Sequence, residues 1–170
     1  VQFGKLKRGE HVLILGGSGG VGVYAIQIAQ AMGAKVTAVA SSGNQDLMRA
    51  LGADDALDYR KDDPLAGQTY DVIFDTFGAT HWRQARRALN SGGRFVPLNF
   101  AIWHVLPALL TRFGRRRWIV GVSGDTKADL LALAPALTSG QIKPVIDQVY
   151  PVTDARLAHA HVESRRRKGA

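Results

Sequence analysis

The stretch His11-Val-Leu-Ile-Leu-Gly-Gly-Ser-Gly-Gly-Val-Gly22 decides the fold of this 170-residue chain. Its first five residues form a short apolar run, which is typical of a parallel strand that is buried on both faces. The glycines that follow match G-x-G-x-x-G, with Gly17, Gly19 and Gly22 in the marked places. Small and apolar residues over 20–32 then predict a closely packed helix. This context of strand, turn and helix indicates a nucleotide-binding motif.

The same turn predicts contacts to the pyrophosphate of a dinucleotide. Gly17 permits a tight turn, Gly19 removes a Cβ that would obstruct the approach of backbone N–H groups, and Gly22 lets the helix lie close to the strand. The N-terminus of the helix adds unpaired N–H donors and a partial positive charge. The residues expected to contact the pyrophosphate are Gly17, Ser18, Gly19, Gly20 and Val21.

A second pattern overlaps this turn. Residues 16–20 also fit G-x-S-x-G, the nucleophile elbow of hydrolases, with Ser18 as the nucleophile. That reaction needs an acidic residue and then a histidine later in the chain, and His159 and His161 follow Asp147 in this order. Both histidines fall in a predicted terminal helix, and no strand is predicted before residue 11. The dinucleotide interpretation is therefore preferred.

Strands and helices alternate along the rest of the chain. This alternation predicts an α/β fold of the Rossmann type, with a doubly wound six-stranded parallel sheet in the order 3-2-1-4-5-6 and helices on both faces. The predicted strands cover 11–15, 35–40, 56–59, 70–75, 94–98 and 118–122. The predicted helices cover 20–32, 44–51, 79–89, 102–112 and 154–164, and a further predicted helix, capped by Asp125 or Thr126, runs to 137.

Composition narrows the classes of function. The chain has no cysteine, which excludes disulfides, cysteine-ligated metal sites and thiol nucleophiles within it. The net charge of +8 comes from arginine clusters at 112–117 and 165–168, because the other basic residues balance the 14 acidic ones. Such local clusters favour a solvated loop or an oligomer interface, so nucleic acid is not an expected partner. The apolar stretch 96–110 is too short to span a bilayer, and a cytoplasmic protein is expected.

The end of the second predicted strand indicates which dinucleotide is bound. An NAD site places Asp or Glu there to hold the ribose 2′-hydroxyl, whereas this strand runs into Ala40-Ser-Ser42. Ala40 leaves room for a 2′-phosphate, and Ser41, Ser42 and Asn44 can donate hydrogen bonds to it. NADP(H) is therefore favoured over NAD(H), although this loop lacks a cation and dual use stays open.

Several spaced segments resemble one protein superfamily. The turn at 17–22 resembles the A-x-G-G-V-G turn of the medium-chain dehydrogenase/reductase superfamily, and four further segments resemble its later motifs: 51–59, 70–78, 88–94 and 140–152. The nearer branch resembles zinc-independent quinone oxidoreductases and NAD(P)-dependent alcohol dehydrogenase-like proteins.

This resemblance implies a function and a set of adenosine contacts. It implies an oxidoreductase that transfers hydride between a nicotinamide and a quinone, enone or carbonyl/alcohol substrate. Ser41 and Tyr59 match residues that surround the 2′-phosphate in that branch, and Asn44 stands where a lysine is expected. Arg165 matches a terminal arginine that can reach the phosphate and could supply the absent cation.

The resemblance also implies a domain organisation. Residues 1–150 are expected to form the dinucleotide-binding domain, and residues 151–170 a C-terminal helix leading toward a GroES-like catalytic domain outside this sequence. That domain would contact the small-molecule substrate, and the enzyme is expected to be a homo-oligomer. No metal ligand is assigned here, and this segment does not decide whether the parent enzyme binds zinc.

The nicotinamide is expected near the loops that follow the fourth and fifth strands. The residues assigned there are Thr76, Phe77, Gly78, Leu98 and Asn99. No catalytic acid is assigned: His104 is best interpreted as a surface or core histidine, and Asp75 as a carboxylate that binds loop amides. The alternative function is a stand-alone module that senses a dinucleotide or binds nucleic acid without turnover.

Overall fold

Six strands, six α-helices and a short 3-10 helix (Val152–Asp154) are present in a computed structural model that describes residues 4–101, 104–121, 127–164 and 168–169. The strands are β1 (His11–Leu15), β2 (Lys35–Ala40), β3 (Asp55–Asp58), β4 (Tyr70–Asp75), β5 (Leu89–Pro97) and β6 (Arg117–Trp118). The helices are α1 (Gly22–Ala31), α2 (Gln45–Ala50), α3 (Trp82–Ala88), α4 (Val105–Leu110), α5 (Lys127–Thr138) and α6 (Ala155–Glu163).

The strands form one parallel sheet in the order β3-β2-β1-β4-β5-β6. This order confirms the predicted Rossmann-type topology. The first strand lies in the middle of the sheet, where Leu13 pairs with Thr37 on β2 and with Ile73 on β4. The chain leaves β1 toward β2 and later crosses back to β4, so the direction of winding reverses at β1. Ligands of such sheets bind at this reversal, beyond the carboxyl ends of the strands.

Helices cover both faces of the sheet because successive side chains of a strand point to opposite sides. Val12 and Ile14 belong to one buried apolar cluster, which includes residues of α1 and α2. Leu13 and Leu15 belong to a second cluster, which includes Ala85 of α3. The near-complete burial of β1 on both sides explains its unbroken apolar sequence.

Strand β5 begins earlier than predicted. The glycines at 92 and 93 suggested the end of a helix, but the chain passes from α3 directly into β5 at Leu89. Leu89 pairs with Tyr70, and the register then shifts so that Arg94 pairs with Val72. Gly92 has φ +86°, which a glycine adopts without strain inside such an irregularity.

The last part of the chain packs back on α1 and on the glycine-rich turn. Gln27 of α1 donates to the Lys143 carbonyl at 3.0 Å and accepts from the Lys143 N–H at 2.8 Å. The Gly169 N–H donates to the Ser18 carbonyl at 2.9 Å. In the described part of the chain, no helix combines the length and apolar character needed to cross a membrane.

Candidate functional site

A cleft of about 1060 Å³ opens at the carboxyl ends of β1, β2 and β4, the place that the topology predicts. It is lined by the glycine-rich turn, by the residues that follow β2 and β3, by the loop after β4, and by one residue of α6. Ten of these lining residues are Gly16, Ser18, Gly19, Gly20, Val21, Ser41, Tyr59, Thr76, Phe77 and Asn99.

The glycines of the turn make it tight and hold it against the core. A Cβ on Gly17 would lie 2.8 Å from the Met48 sulfur and 3.0 Å from the Ala38 Cβ, so Gly17 faces the core and does not line the cleft. A Cβ on Gly22 would overlap the Gly16 carbonyl oxygen and the Gly17 backbone. Glycine at 22 is therefore what allows α1 to begin directly on the turn.

Gly19 has a different environment on the cleft side of the turn. A Cβ there would meet only the Gly16 carbonyl oxygen, at 3.4 Å, and the surrounding space is open. The Val23 N–H donates to the Gly19 carbonyl at 3.1 Å, so the amides of Gly20 and Val21 lie at the N-terminal end of α1. Open space beside the N-terminus of α1 fits a phosphate group, because a helix N-terminus attracts anions.

Gly16 belongs to the site although the sequence assigned it no cofactor contact. Its φ is +86°, and a Cβ there would overlap the Thr76 hydroxyl and approach the Phe77 ring to 2.8 Å. The turn after β1 and the loop after β4 therefore touch each other across the floor of the cleft. A glycine at the first position after a strand is the only sequence signal of this contact.

The residues after β2 divide into two groups. Ala40 and Ser41 line the cleft, and Ala40 is buried, so no acidic side chain occupies the end of β2. The other two assigned residues have internal hydrogen bonds: Ser42 donates its hydroxyl to the Asp58 carboxylate, and Asn44 donates its amide to the Ser41 hydroxyl at 2.9 Å. Neither Ser42 nor Asn44 lines the cleft.

Asp58 keeps the loop after β2 in place. Its carboxylate is almost fully buried and accepts hydrogen bonds from the Ser42 hydroxyl and from the Arg60 N–H, the latter at 3.1 Å. The Ser42 hydrogen bond, aided by the Arg60 N–H and nearby cations, holds the pKa of Asp58 below its usual value. Asp58 therefore remains ionised while it supports this part of the wall.

Asp75 organises the loop after β4. Its side chain is fully buried, and Oδ1 accepts from the N–H groups of Phe77, Gly78 and Ala79 at 3.2, 2.8 and 3.0 Å. Oδ2 accepts from the Thr80 N–H at 2.9 Å. This arrangement agrees with the interpretation of Asp75 as a carboxylate that binds loop amides.

The five residues assigned to the nicotinamide end lie in one region but have different exposures to the cleft. Thr76, Phe77 and Asn99 line it. A Cβ on Gly78 (φ +83°) would lie 3.8 Å from the Asn99 side chain, and the Leu98 N–H donates to the Asp75 carbonyl at 2.9 Å, yet neither Gly78 nor Leu98 lines the cleft. These two residues support the wall from behind.

Several lining residues had no sequence signal at all. They come from the turn after β3, from the start of α3 and from α6, and the principal ones are Asp63, Pro64, Leu65, Thr80, Gln84 and Val162. None belongs to a recognisable motif, because their position depends on how distant segments pack. Arg165, assigned to the 2′-phosphate, lies outside the described residues.

The arrangement around Ser18 gives no support to a hydrolase. His161 bonds the Asp147 carboxylate through Nε2 at 2.8 Å, and no hydrogen bond joins Ser18 to any histidine in the described ranges. The His161 hydrogen bond lowers the pKa of Asp147. A serine nucleophile requires a histidine within hydrogen-bond distance.

His104 lies away from the cleft. Its Nδ1 accepts from the Ala101 N–H at 2.9 Å, and its ring lies 5.1 Å from the Trp118 ring. Trp118 in turn stacks on Trp82 at 5.8 Å. These contacts agree with the interpretation of His104 as a packing residue at the sheet edge.

Comparison with known proteins identifies the family of this chain. A family model described as zinc-binding dehydrogenase matches residues 51–169. The chain is 36% identical over 155 residues to a chloroplastic NADPH-dependent alkenal/one oxidoreductase of Arabidopsis thaliana, covering 89% of this chain and 36% of that protein. It is 34% identical over 166 residues to a 2-methylene-furan-3-one reductase of Solanum lycopersicum, covering 95% of this chain and 39% of that protein.

A solved structure shows the same fold. The quinone oxidoreductase from Coxiella burnetii superposes with a TM-score of 0.85 at 26% identity, covering 98% of this chain and 53% of that one. The chain thus spans about half the length of that protein and less than half of the two plant reductases. Among the residues with described positions, no three His, Asp or Glu side chains lie close enough to hold a metal ion, so they do not fit a zinc site.

Proposed function

Because the chain belongs to the zinc-binding dehydrogenase family, within the medium-chain dehydrogenase/reductase superfamily, we propose that it is the NADP(H)-binding domain of an oxidoreductase. One observation carries this proposal. The cleft brings the glycine-rich turn together with Ser41 and Tyr59 on one side of β1 and with Thr76 and Asn99 on the other, as a dinucleotide bound across the point where the winding reverses would require.

In this proposal each part of the cleft has a separate task. The amides of Gly20 and Val21 bind the pyrophosphate, since they lie at the N-terminus of α1, whereas the Gly19 N–H already donates to the Gly16 carbonyl at 3.1 Å. Tyr59 and Ser41 hold the adenosine end. The loop that Asp75 organises holds the nicotinamide end and helps to exclude water. When bound, the nicotinamide would supply or accept a hydride at a quinone, enone or carbonyl/alcohol carbon.

Two findings support NADP(H) over NAD(H). The end of β2 presents Ala40 and Ser41 to the cleft and no carboxylate that would hold a 2′-hydroxyl and repel a 2′-phosphate. The similar Arabidopsis protein is described as NADPH-dependent. The internal bonds of Ser42 and Asn44 remove two of the donors that the sequence suggested, so Ser41 is the remaining assigned hydroxyl in the loop.

The substrate class follows from the relatives and is part of the proposal. The two plant reductases are named for an alkenal/one and for a methylene-furanone, and both names describe a molecule that contains a carbon–carbon double bond and a carbonyl group. We propose that a GroES-like domain of a longer protein contributes the rest of the substrate pocket. Exposed apolar side chains at the edge that carries α4, including Leu106, Leu110 and Phe113, support a homo-oligomer.

Titration with NADPH and NADH tests the cofactor assignment. We expect both to bind, with NADPH binding more tightly, as measured by calorimetry or by nicotinamide fluorescence. If neither binds at millimolar concentration, the assignment is wrong. Tighter binding of NADH would reverse the coenzyme preference.

A turnover assay separates the oxidoreductase from a dinucleotide sensor. The protein encoded by the whole reading frame that contains this chain is incubated with NADPH and an alkenal, an alkenone or a quinone. Consumption of NADPH that depends on one of these substrates supports the enzyme. Binding of NADPH without consumption for any of them favours the sensor.

A further inference from the structure

Tyr59 brings the end of β3 to the adenosine end of the cleft. It directly follows β3, and its N–H donates to the Ala40 carbonyl at 3.2 Å, which joins it to the end of β2. Its ring is about half exposed and lines the cleft together with Ala40 and Ser41. A substituent on the adenosine ribose, bound at the end of β2, would therefore lie near the Tyr59 ring.

The next residue places a positive charge on that ring. The Arg60 guanidinium carbon lies 5.8 Å from the centroid of the Tyr59 ring, within the range of a cation–π interaction. Arg60 is exposed, and no carboxylate in the described part of the chain lies within 4.0 Å of its guanidinium. Arg60 itself is not a lining residue, but its guanidinium lies over the ring of Tyr59, which lines the cleft, and keeps its hydrogen-bond donors available for a ligand.

The backbone of Arg60 is held in place by the residue that supports the loop after β2. The Arg60 N–H donates to Asp58 Oδ1, while the Ser42 hydroxyl donates to Asp58 Oδ2. One carboxylate therefore ties the turn that carries Arg60 to the loop that carries Ser41.

The negative charge of Asp58 favours a nearby cation at the adenosine end of the cleft. Its buried negative charge lies next to the end of β2, and an uncompensated carboxylate would repel a phosphate. The side chains of Arg60 and Lys61 follow immediately in the chain and supply compensating positive charge. An arginine fits a phosphate well because its planar guanidinium can donate two parallel hydrogen bonds.

We propose that Arg60, stacked on Tyr59, contacts the 2′-phosphate of NADP(H) and determines the preference of this site for a phosphorylated ribose. The inference rests on the proposed function and goes beyond it, because it assigns the cation that the loop 41–44 lacks. It gives the 2′-phosphate a binding partner on the turn after β3 in addition to Ser41 on the loop after β2.

The Arg60→Ala variant tests this assignment by titration with NADPH and with NADH at low and at physiological salt. Removal of a charged donor from a phosphate is expected to weaken NADPH binding about tenfold and to leave NADH binding unchanged. The salt dependence of NADPH binding should decrease as well, since one ionic contact is lost. Arg60→Lys should give an intermediate preference, because lysine keeps the charge but not the planar fork.

Arg49→Ala is the matched control, since Arg49 is an exposed arginine whose removal changes the net charge equally but which pairs with Asp46 instead of contacting a residue that lines the cleft. It should leave both affinities unchanged. If Arg60→Ala alters neither affinity, or weakens NADPH and NADH binding equally, Arg60 does not contact the 2′-phosphate. That result would leave the proposed dinucleotide site itself unaffected. If the unaltered chain binds neither dinucleotide, the proposed function fails and this inference fails with it.

Discussion

At the scale of single residues, Asp75 shows how one buried carboxylate shapes a binding loop. Four successive backbone N–H groups, from Phe77 to Thr80, point at its two oxygens. A buried backbone donor without a partner is costly, so the carboxylate decides the conformation of the loop rather than only supporting it. The proposed nicotinamide contacts depend on this conformation.

Asp75→Asn should therefore weaken binding as well as stability. An amide offers one acceptor oxygen where the carboxylate offers two, and its NH₂ group would face a backbone N–H. We expect a loss of about 1–3 kcal/mol in the free energy of unfolding and a weaker affinity for NADPH. Denaturant unfolding and NADPH titration measure the two effects.

Asp71→Asn is the control for this experiment. Asp71 lies at the other end of β4 and accepts from the His11 N–H and from Asn90, both at 2.9 Å. Its replacement should reduce stability without reducing NADPH affinity in the folded protein. Equal effects of both substitutions on NADPH binding would contradict a specific role of Asp75 in the loop.

At the scale of an element, the junction of β1 and α1 contains two glycines with different roles, one in packing and one in ligand access. Gly22 faces inward, where a Cβ would overlap the backbone of Gly16 and Gly17. Gly19 faces the cleft, where a Cβ would meet a single atom at ordinary contact distance. The motif therefore combines a packing requirement with a binding requirement.

Alanine substitutions should separate these two requirements. Gly22→Ala should destabilise the domain, because the steric cost of moving backbone atoms exceeds the roughly 1 kcal/mol that alanine gains over glycine in a helix. Gly19→Ala should leave the unfolding midpoint nearly unchanged and weaken NADPH binding, because the methyl group occupies the approach to the amides. Thermal unfolding and NADPH titration of both variants check this expectation. A Gly19→Ala variant that binds NADPH normally would argue against the proposed position of the pyrophosphate.

At the scale of the whole molecule, a buried ion pair connects the N-terminal segment to the sheet. Arg94 of β5 donates to both oxygens of Glu10, at 2.9 and 2.6 Å, and to the carbonyl groups of Gly4 and Lys5. The Arg94 side chain is 6% exposed and that of Glu10 is 18% exposed. The Arg94 hydrogen bond holds the pKa of Glu10 below its usual value.

This pair makes stability depend on pH in the acid range. Because the pKa of Glu10 is lower in the folded than in the unfolded chain, its contribution is complete above the unfolded value of 4.5 and is lost as the pH falls through the folded value. Glu10→Gln should therefore reduce the free energy of unfolding at pH 7 and flatten its decline below about pH 4.5. Denaturant unfolding across this range measures both effects.

Two further variants test whether the Arg94–Glu10 ion pair causes the loss of stability in the acid range. Arg94→Ala should cost about 3 kcal/mol, since it leaves a buried carboxylate without its partner. Lys35→Gln removes an exposed pair, Lys35–Asp55 at 3.4 Å, and should cost less than about 1 kcal/mol. An unchanged acid-range decline in Glu10→Gln would show that other carboxylates cause it.

Patterns in the sequence are sufficient to predict the sheet order, the glycine-rich turn after β1 and the family. These depend on local patterns: an apolar run that must be buried, glycines at a spacing that only a tight turn requires, and motifs that recur in one superfamily. The assignments of Ser41, Tyr59, Thr76 and Asn99 to one cleft followed from strand ends, because parallel strands deliver their carboxyl ends to one edge.

Which polar side chains are available in that cleft depends on tertiary contacts. Ser42 and Asn44 have the right chemistry and position in the sequence, but Asp58 and Ser41 occupy their hydrogen bonds. Arg60 stacks on Tyr59, although neither spacing nor composition marks it. Hydrogen-bond partners come from strands that are distant in the chain, and a one-dimensional pattern does not encode which donor reaches which acceptor. That pairing is decided when β2 and β3 come together, and it determines which groups are left for a ligand.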